Sequence, residues 1–430
     1  MTCKFLTNAE MCFSERMLFE TTFTGCIQVA MKIAVQFVYI SGGTGFIGSA
    51  LVHQLRFTKF KPVVISRKQS FPTTLTWVTF VIYIYIFIYL YTSVKVVLFN
   101  VERTFLKDEI KRNGLPSDCH GIVNLAGATI GDVKKRWTEK YKQEVCQSRI
   151  ETTSLLAQLL KNEQKNPKVF ITASGIGYYP PGRSEIFTEN SEVNCSNDYF
   201  SKLCQQWEIA GDLGEKTIHR RVIVRIGLVL GRNGGAIRQM YLPFWLGFGG
   251  RMASGEQPFP WIHIDDLVGI FVHALMNSNV RGILNAVAPS MITNAEFTKA
   301  FGNALHRPTL FPVPEFALNF AFGKERAEML IQGQKVKPQR TIESGYKFKY
   351  TNIYDAMKQI ILVLLEDVKN NAPLDQPVFQ LPGLVIEWLH VSVRDLARFQ
   401  LGNMPVKQRI LRIPSITSDK QTVVSSSTSL

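Results

Sequence analysis

The chain has 430 residues, 46% hydrophobic and 19% charged, which excludes a disordered polypeptide and leaves room for a large core with a smaller second domain. Its 49 Lys and Arg against 34 Asp and Glu give a net charge of +15, yet these cations are scattered rather than interleaved with aromatics, so nucleic-acid binding is not expected. The seven cysteines form no Cys-x-x-Cys pair and the seven histidines no close-spaced cluster; free thiols in a reducing intracellular setting, cytoplasmic above all, are expected, and no metal.

In chain order, residues 1–30 read as a loosely ordered extension, without the apolar run of a signal peptide or the basic character of a transit peptide. A strand is expected over residues 33–40, then the run Ser41-Gly42-Gly43-Thr44-Gly45-Phe46-Ile47-Gly48, then a helical pattern over 50–55. A strand that turns sharply into a helix through Gly-x-x-Gly-x-x-Gly leaves unpaired N–H groups and a positive dipole end open to a pyrophosphate, because glycine removes the side chains that would block it. Gly42, Thr44, Gly45, Phe46, Ile47 and Gly48 are therefore the expected dinucleotide cradle. About twenty residues on, a second short strand over 61–65 ends in Ser66, Arg67 and Lys68. A hydroxyl with cations at this point suits a 2′-phosphate, where a carboxylate would suit a free 2′-hydroxyl, so Ser66 and Arg67 select NADP.

Residues 78–90, VTFVIYIYIFIYL, open a largely apolar stretch long enough to cross a bilayer. A membrane helix here would split a dinucleotide fold between its second strand and the strand that follows. Residues 78–105 are instead expected to be an insertion in place of a short loop, and no membrane partner is expected.

Gly121-Ile122-Val123-Asn124-Leu125-Ala126-Gly127 is a strand running into Asn-x-Ala-Gly. With the glycine run it resembles the extended short-chain dehydrogenase/reductases. Arg136-Trp137, residues 144–153 (EVCQSRIETT), 224–235 (VRIGLVLGRNGG), Leu242-Pro243-Phe244, 260–267 (PWIHIDDL) and 332–345 (QGQKVKPQRTIESG) narrow the resemblance to the epimerase-family proteins of short-chain dehydrogenase/reductase family 39U. It covers residues 31–77 and 106–364, and implies an α/β fold: a Rossmann-type doubly wound parallel sheet with a small C-terminal substrate-side domain of unknown function. The domains are then 31–290 and 291–365, with a divergent tail over 366–430. The resemblance places Leu125 and Ala126 against the adenosine half of the cofactor, Val229 against the nicotinamide half, and Glu144 and Arg149 against the diphosphate.

Beyond Asn124 the pattern alternates: helix 138–161, strand 168–173, helix 200–213, strand 221–226, then a glycine-rich, loop-like stretch over 231–255 suited to line a cleft. Thr293-Asn294-Ala295-Glu296 is a capping-box pattern opening a helix to 305, and 353–365 is an amphipathic closing helix. Reductases of this fold pair a hydroxyl near the reacting carbon with a tyrosine and a lysine. The family's serine position is matched by Ser174. The Tyr-x-x-x-Lys is not matched: Lys202 follows Tyr199 by three residues, about 100° short of the usual rotation. These three are the catalytic candidates. The reading is an NADP(H)-dependent oxidoreductase or nucleotide-sugar-epimerase-like enzyme with an atypical site, acting on a small molecule and forming a homodimer; the alternative is a non-catalytic NADP(H)-binding sensor or scaffold.

Overall fold

The computed structural model describes residues 36–66, 103–106, 114–116, 118–131, 135–163, 166–193 and 198–369. The extension 1–30, Arg67, residues 78–102 of the expected insertion and the tail beyond 369 lie outside the described residues. The chain divides into two units, Met1–Ile360 and Ile361–Leu430.

Seven strands form one sheet: β1 (Gln36–Ser41), β2 (Phe60–Ser66), β3 (Arg103–Leu106), β4 (Cys119–Asn124), β5 (Val169–Gly175), β7 (Arg220–Ile226) and β10 (Gly282–Ala286). Their spatial order is β10-β7-β5-β4-β1-β2-β3, and every pair is parallel. Strand alternation sends neighbouring residues to opposite faces. Val38 and Ile40 of β1 enter one core cluster with Val64, Val123, Ile171 and Val224, while Tyr39 enters another with Val63, Ile122 and Phe170. A sheet with two apolar faces must be covered on both. Leu51, Val52 and Leu55 of α1 (Phe46–Leu55) and Leu267, Ile270 and Phe271 of α5 (Ile264–Met276) cover the first; Leu156, Ala157 and Leu160 of α2 (Glu139–Asn162) cover the second. Each fully buried aliphatic side chain is worth roughly 1.5–3 kcal/mol against exposure. From β1 the chain builds outward to β2 and β3, then returns to add β4 on the other side. The crevice at the carboxyl ends of β1 and β4 is thus the switch point where ligands of such sheets bind.

The remaining elements follow the carboxyl ends of the strands. They are β6 (Gly182–Phe187), β8 (Leu228–Gly231), α3 (Tyr199–Ala210), α4 (Gly235–Trp245), β9 (Trp261–His263), α6 (Asn294–Leu305), α7 (Glu315–Phe322), α8 (Lys324–Gln332), β11 (Gln334–Val336), α9 (Gln339–Glu343) and α10 (Ile353–Lys369). Small parallel ladders join β11 to β6 and β8 to β9. The capping box holds as expected: Thr293 Oγ1 accepts from Glu296 N at 3.2 Å while Thr293 N donates to Glu296 Oε2 at 2.7 Å.

Three expectations are amended. The first helix starts at Phe46 rather than residue 50, since Gly45 is already its N-cap. The stretch 231–255 contains α4, because Ile237, Tyr241 and Phe244 recur at helical spacing and are buried. Strand β3, residues 103–106, overlaps the end of the expected 78–105 insertion and pairs with Val63 to Ser66.

Candidate cofactor cleft and hydroxyl cluster

The turn from β1 into α1 is built by close backbone contact. Gly42 has φ +78°, and a Cβ there would lie 2.8 Å from the Leu125 carbonyl and 2.9 Å from Ala126 N. A Cβ at Gly48 would collide with the Gly42 carbonyl oxygen and sit 2.6 Å from the Gly43 Cα. Gly42 is thus required by the approach of the β4 loop, and Gly48 by the packing of α1 on its own turn. Gly45 differs: its φ is −78° and its added Cβ would meet only the Gly42 oxygen, at 3.3 Å. Gly45 and Thr44 are exposed. No side chain caps α1 and its first turn carries no acid, so no side chain of its own neutralises its first N–H groups and positive dipole end. Leu125 N donates to Ser41 O at 2.8 Å, and the Asn124 side chain accepts from Ala126 N at 3.3 Å, which fixes the β4 loop alongside.

Arg149 faces this loop from α2. Its guanidinium carbon would lie 2.9 Å from a Cβ on Gly127, Nη1 donates to Val145 O at 3.0 Å, and it stacks 5.1 Å above the Trp207 ring. It is buried, its Nε has no hydrogen-bond partner, and no carboxylate pairs with it among the described residues. Burial lowers its pKa, but a guanidinium stays charged. A buried cation without a counter-charge beside a glycine cradle is suited to an anionic ligand. Glu144, on the same helix, is exposed and lies 3.8 Å from Lys135 in a surface pair.

Val229 lies on β8 opposite Ile262. Its carbonyl faces Gly235, and the Phe46 ring fills the space that side chains at Gly231 and Gly234 would need, 2.9 and 2.7 Å from their added Cβ atoms. Ile47 packs against the core cluster beneath the cradle. Ser66 ends β2 beside Ser41, as its register with Leu106 and that of Ile65 with Ser41 require.

At the end of β5 the Ser174 hydroxyl donates to Glu208 Oε1 at 2.7 Å. Glu208 is clamped by Arg225, whose Nε and Nη2 each donate at 2.8 Å, and Arg225 Nη1 reaches the Tyr179 hydroxyl at 3.0 Å. The Arg225 guanidinium also lies 3.4 Å from the Tyr178 ring centroid. Tyr199, the first residue of α3, donates its hydroxyl to Lys142 O at 3.0 Å and packs edge-on to Trp137. Burial pushes its pKa up to about 12. Lys202 is exposed. Helix α3 crosses the end of β5, with Ser201 Oγ donating to Gly177 O at 2.9 Å; among the described residues no hydrogen bond joins Ser174, Tyr199 and Lys202. His263 is buried at the N-cap of α5: Nδ1 accepts from Asp265 N at 3.1 Å, which leaves Nε2 to donate to Gln359 Oε1 at 3.0 Å.

Glu208 and Arg225 escape the sequence reading. The available signal is Arg225 itself, a charge inside the apolar strand residues 222–226, VIVRI, which demands a buried partner.

The NAD dependent epimerase/dehydratase family matches residues 38–286, and a domain of unknown function, DUF1731, matches 313–360. The human epimerase family protein SDR39U1 is 42% identical over 325 residues, 75% of this chain and 99% of that protein. A chloroplastic homologue of it from Arabidopsis thaliana is 34% identical over 75% of this chain and 86% of its own length. The crystal structure of human SDR39U1 (isoform 2) with NADPH superposes with a TM-score of 0.67 and 40% identity, over 76% of this chain and 99% of that one. UDP-N-acetylglucosamine 4-epimerase from Bacillus cereus shares the fold, with a TM-score of 0.55 at 15% identity over 76% of this chain and 99% of its own. The chain therefore belongs to the NAD dependent epimerase/dehydratase family, with the SDR39U1 group of epimerase family proteins as its relatives.

Proposed function

We propose that this protein binds NADP(H) and acts on a small molecule as an oxidoreductase or nucleotide-sugar-epimerase-like enzyme with an atypical site. One observation carries the reading: a glycine cradle that a Cβ would fill stands beside Arg149, a buried cation with no carboxylate partner among the described residues. A structure of the human relative with NADPH supports the same cofactor. In this reading Gly42, Thr44, Gly45, Phe46, Ile47 and Gly48 hold the diphosphate, with Arg149 supplying charge and Glu144 at its rim. Leu125 and Ala126 flank the adenosine half, Val229 the nicotinamide half, and Ser66 with Arg67 holds the 2′-phosphate. The bound nicotinamide supplies or accepts hydride.

Ser174, Tyr199 and Lys202 are the proposed catalytic residues. Tyr199, whose pKa burial pushes up, holds the protonated form that a proton donor to a carbonyl oxygen needs. Ser174, held by Glu208, is fixed in direction. An intracellular setting fits the free thiols Cys119, Cys146 and Cys204.

The second reading, a non-catalytic NADP(H) sensor or scaffold, is favoured by a specific observation: the hydroxyls of Ser174 and Tyr199 are both already committed to protein acceptors. Hydride transfer at the nicotinamide C4, followed as deuterium loss from labelled NADPH with carbonyl compounds and as deuterium transfer to NADP with C–H-labelled nucleotide sugars, separates the two. Turnover that falls by roughly 10²–10⁴ in Ser174→Ala and Tyr199→Phe, with NADPH affinity kept, is the enzymatic outcome. Tight cofactor binding with no label transfer in either direction on any compound is the sensor outcome. No NADPH binding by calorimetry overturns both.

A further inference from the structure

Tyr199 rests on two groups that a helix of the C-terminal region braces in turn. The first is Trp137, whose ring meets the Tyr199 ring edge-on at 5.4 Å between centroids. The second is Lys142, whose carbonyl oxygen accepts from the Tyr199 hydroxyl at 3.0 Å and whose Nζ lies 5.8 Å from the centre of the Tyr199 ring. Trp137 precedes the N-cap of α2, and its buried indole N–H has no hydrogen-bond partner among the described residues. Its ring is therefore held by packing alone.

Two consecutive residues of α8, Glu325 and Arg326, reach these two groups. Arg326 is 3% exposed. Its guanidinium carbon lies 4.5 Å from the centre of the Trp137 ring, while Nη1 donates to Ile130 O at 3.1 Å and Nη2 to Lys135 O at 2.7 Å. A planar fork is needed to reach two carbonyls and a ring face together. Glu325 accepts from Lys142 Nζ, which also donates to Glu139 Oε1 at 2.8 Å. Adjacent helix positions diverge by about 100°, so a single turn of α8 serves both groups. That turn is closely seated: a Cβ on Gly323 would lie 3.2 Å from the Trp137 Cβ, and Met329 packs on the same core cluster as Trp137 and Tyr199. Glu325 and Arg326 both lie within residues 313–360, the part matched by the domain of unknown function.

We propose that this turn of α8 is the positioning element of Tyr199. Arg326 acts through Trp137 on the ring, and Glu325 acts through Lys142 on the carbonyl that receives the hydroxyl. The domain of unknown function then orders the site without touching the substrate. The proposal rests on the reading of Tyr199 as proton donor, and gives the small domain a task in it. A displacement of about 1 Å at a group that must meet a reacting atom can cost about a hundredfold in rate, so a tilt of the Trp137 ring is felt in turnover.

The test is a double-variant cycle on the full chain, with the compound of the panel above that turns over fastest. Arg326→Met should lower kcat about tenfold to a hundredfold and leave NADPH affinity within about twofold of the wild type. In a Tyr199→Phe background the same substitution should cost less than about twofold more, because the group through which Arg326 acts has lost its proton. Arg326→Lys keeps the charge without the fork; it should fall between, and carries the same prediction if Arg326→Met does not fold. Arg340→Met is the control. Arg340 ties the same C-terminal region to Asn190 Oδ1 and Ile283 O, so its loss should lower the thermal midpoint and spare kcat. A second readout needs no turnover: in protein labelled with fluorotyrosine, the fluorine resonance missing from Tyr199→Phe belongs to Tyr199. It should move in the Arg326 variants and stay in place in Arg340→Met. An unmoved resonance overturns the proposal. So does a loss of kcat equal in the wild-type and Tyr199→Phe backgrounds. If the resonance moves but the wild type transfers no hydride with any compound, α8 stands as the element that sets Tyr199, and the proton-donor reading of Tyr199 is what fails.

Discussion

Single glycines in the cradle have separable jobs, and substitution tells them apart. Gly48 is held by backbone atoms that cannot yield, so Gly48→Ala should lower stability by several kcal/mol or prevent folding. Gly45 meets only one backbone oxygen and has an ordinary φ. Gly45→Val should therefore melt close to the wild type and yet lose NADPH binding in calorimetry, because its side chain would stand where the diphosphate approaches. Retained affinity would reduce the glycine to a turn residue. Deeper in the site, Glu208 and Arg225 neutralise each other inside the protein. Glu208→Gln leaves a guanidinium uncompensated and should cost about 3–5 kcal/mol in a denaturant melt, whereas Glu208→Met with Arg225→Met should recover most of it. If the single and double variants melt alike, the pair is not energetically coupled.

Helix α5 makes the protein sensitive to acid through its cap. His263 accepts from Asp265 N through Nδ1, so protonation there abolishes the cap bond. Burial lowers its pKa below the ordinary 6.5, and burial does the same to His120 on β4. As pH falls through that range, the unfolded chain takes up protons before the folded one does. The stabilisation is therefore present above the unfolded value and lost progressively below it. Calorimetric scans should show a midpoint that drops between pH 7 and 5. His263→Asn keeps an N-cap acceptor but loses the ring that packs, tilted, 3.9 Å from the Tyr350 ring between centroids; its midpoint should be lower at pH 7 and its acid slope shallower. An unchanged slope would assign the acid sensitivity elsewhere. Local elements of this kind are what the sequence reveals best. The glycine turn, the Thr293 capping box and the alternating apolar strands announce themselves within a few residues. The α4 helix is hidden because glycines at both its ends, and Pro243 inside it, look like loop.

At the scale of the whole molecule, the doubly wound order is legible because strands and helices alternate, but contacts across it are not. The Ser174–Glu208 bond joins residues 34 positions apart, and Arg326 of α8 donates to Ile130 O, 196 positions away, so no local pattern encodes either. The same distinction governs the long segment between β2 and β3. β3 pairs with Val63 to Ser66 and closes one edge of the sheet. A deletion of residues 78–101 spares that strand and should keep NADPH affinity while raising soluble yield, since it removes a low-charge apolar run. A deletion of 78–105 cuts into the strand, and should lower both. Equal behaviour of the two deletions would mean that β3 is dispensable to the sheet.

The ring of Phe46 has a consequence for how this lineage can change. It stands on the first turn of one half of the sheet and fills the room vacated by Gly231 and Gly234 in the other. Positions nearly two hundred residues apart are thus coupled through one ring. At Gly234 the ring alone bars a side chain, so a methyl group gained there becomes acceptable only in a background where the aromatic ring has already been traded for something smaller; at Gly231 the Ile264 side chain stands in the way as well.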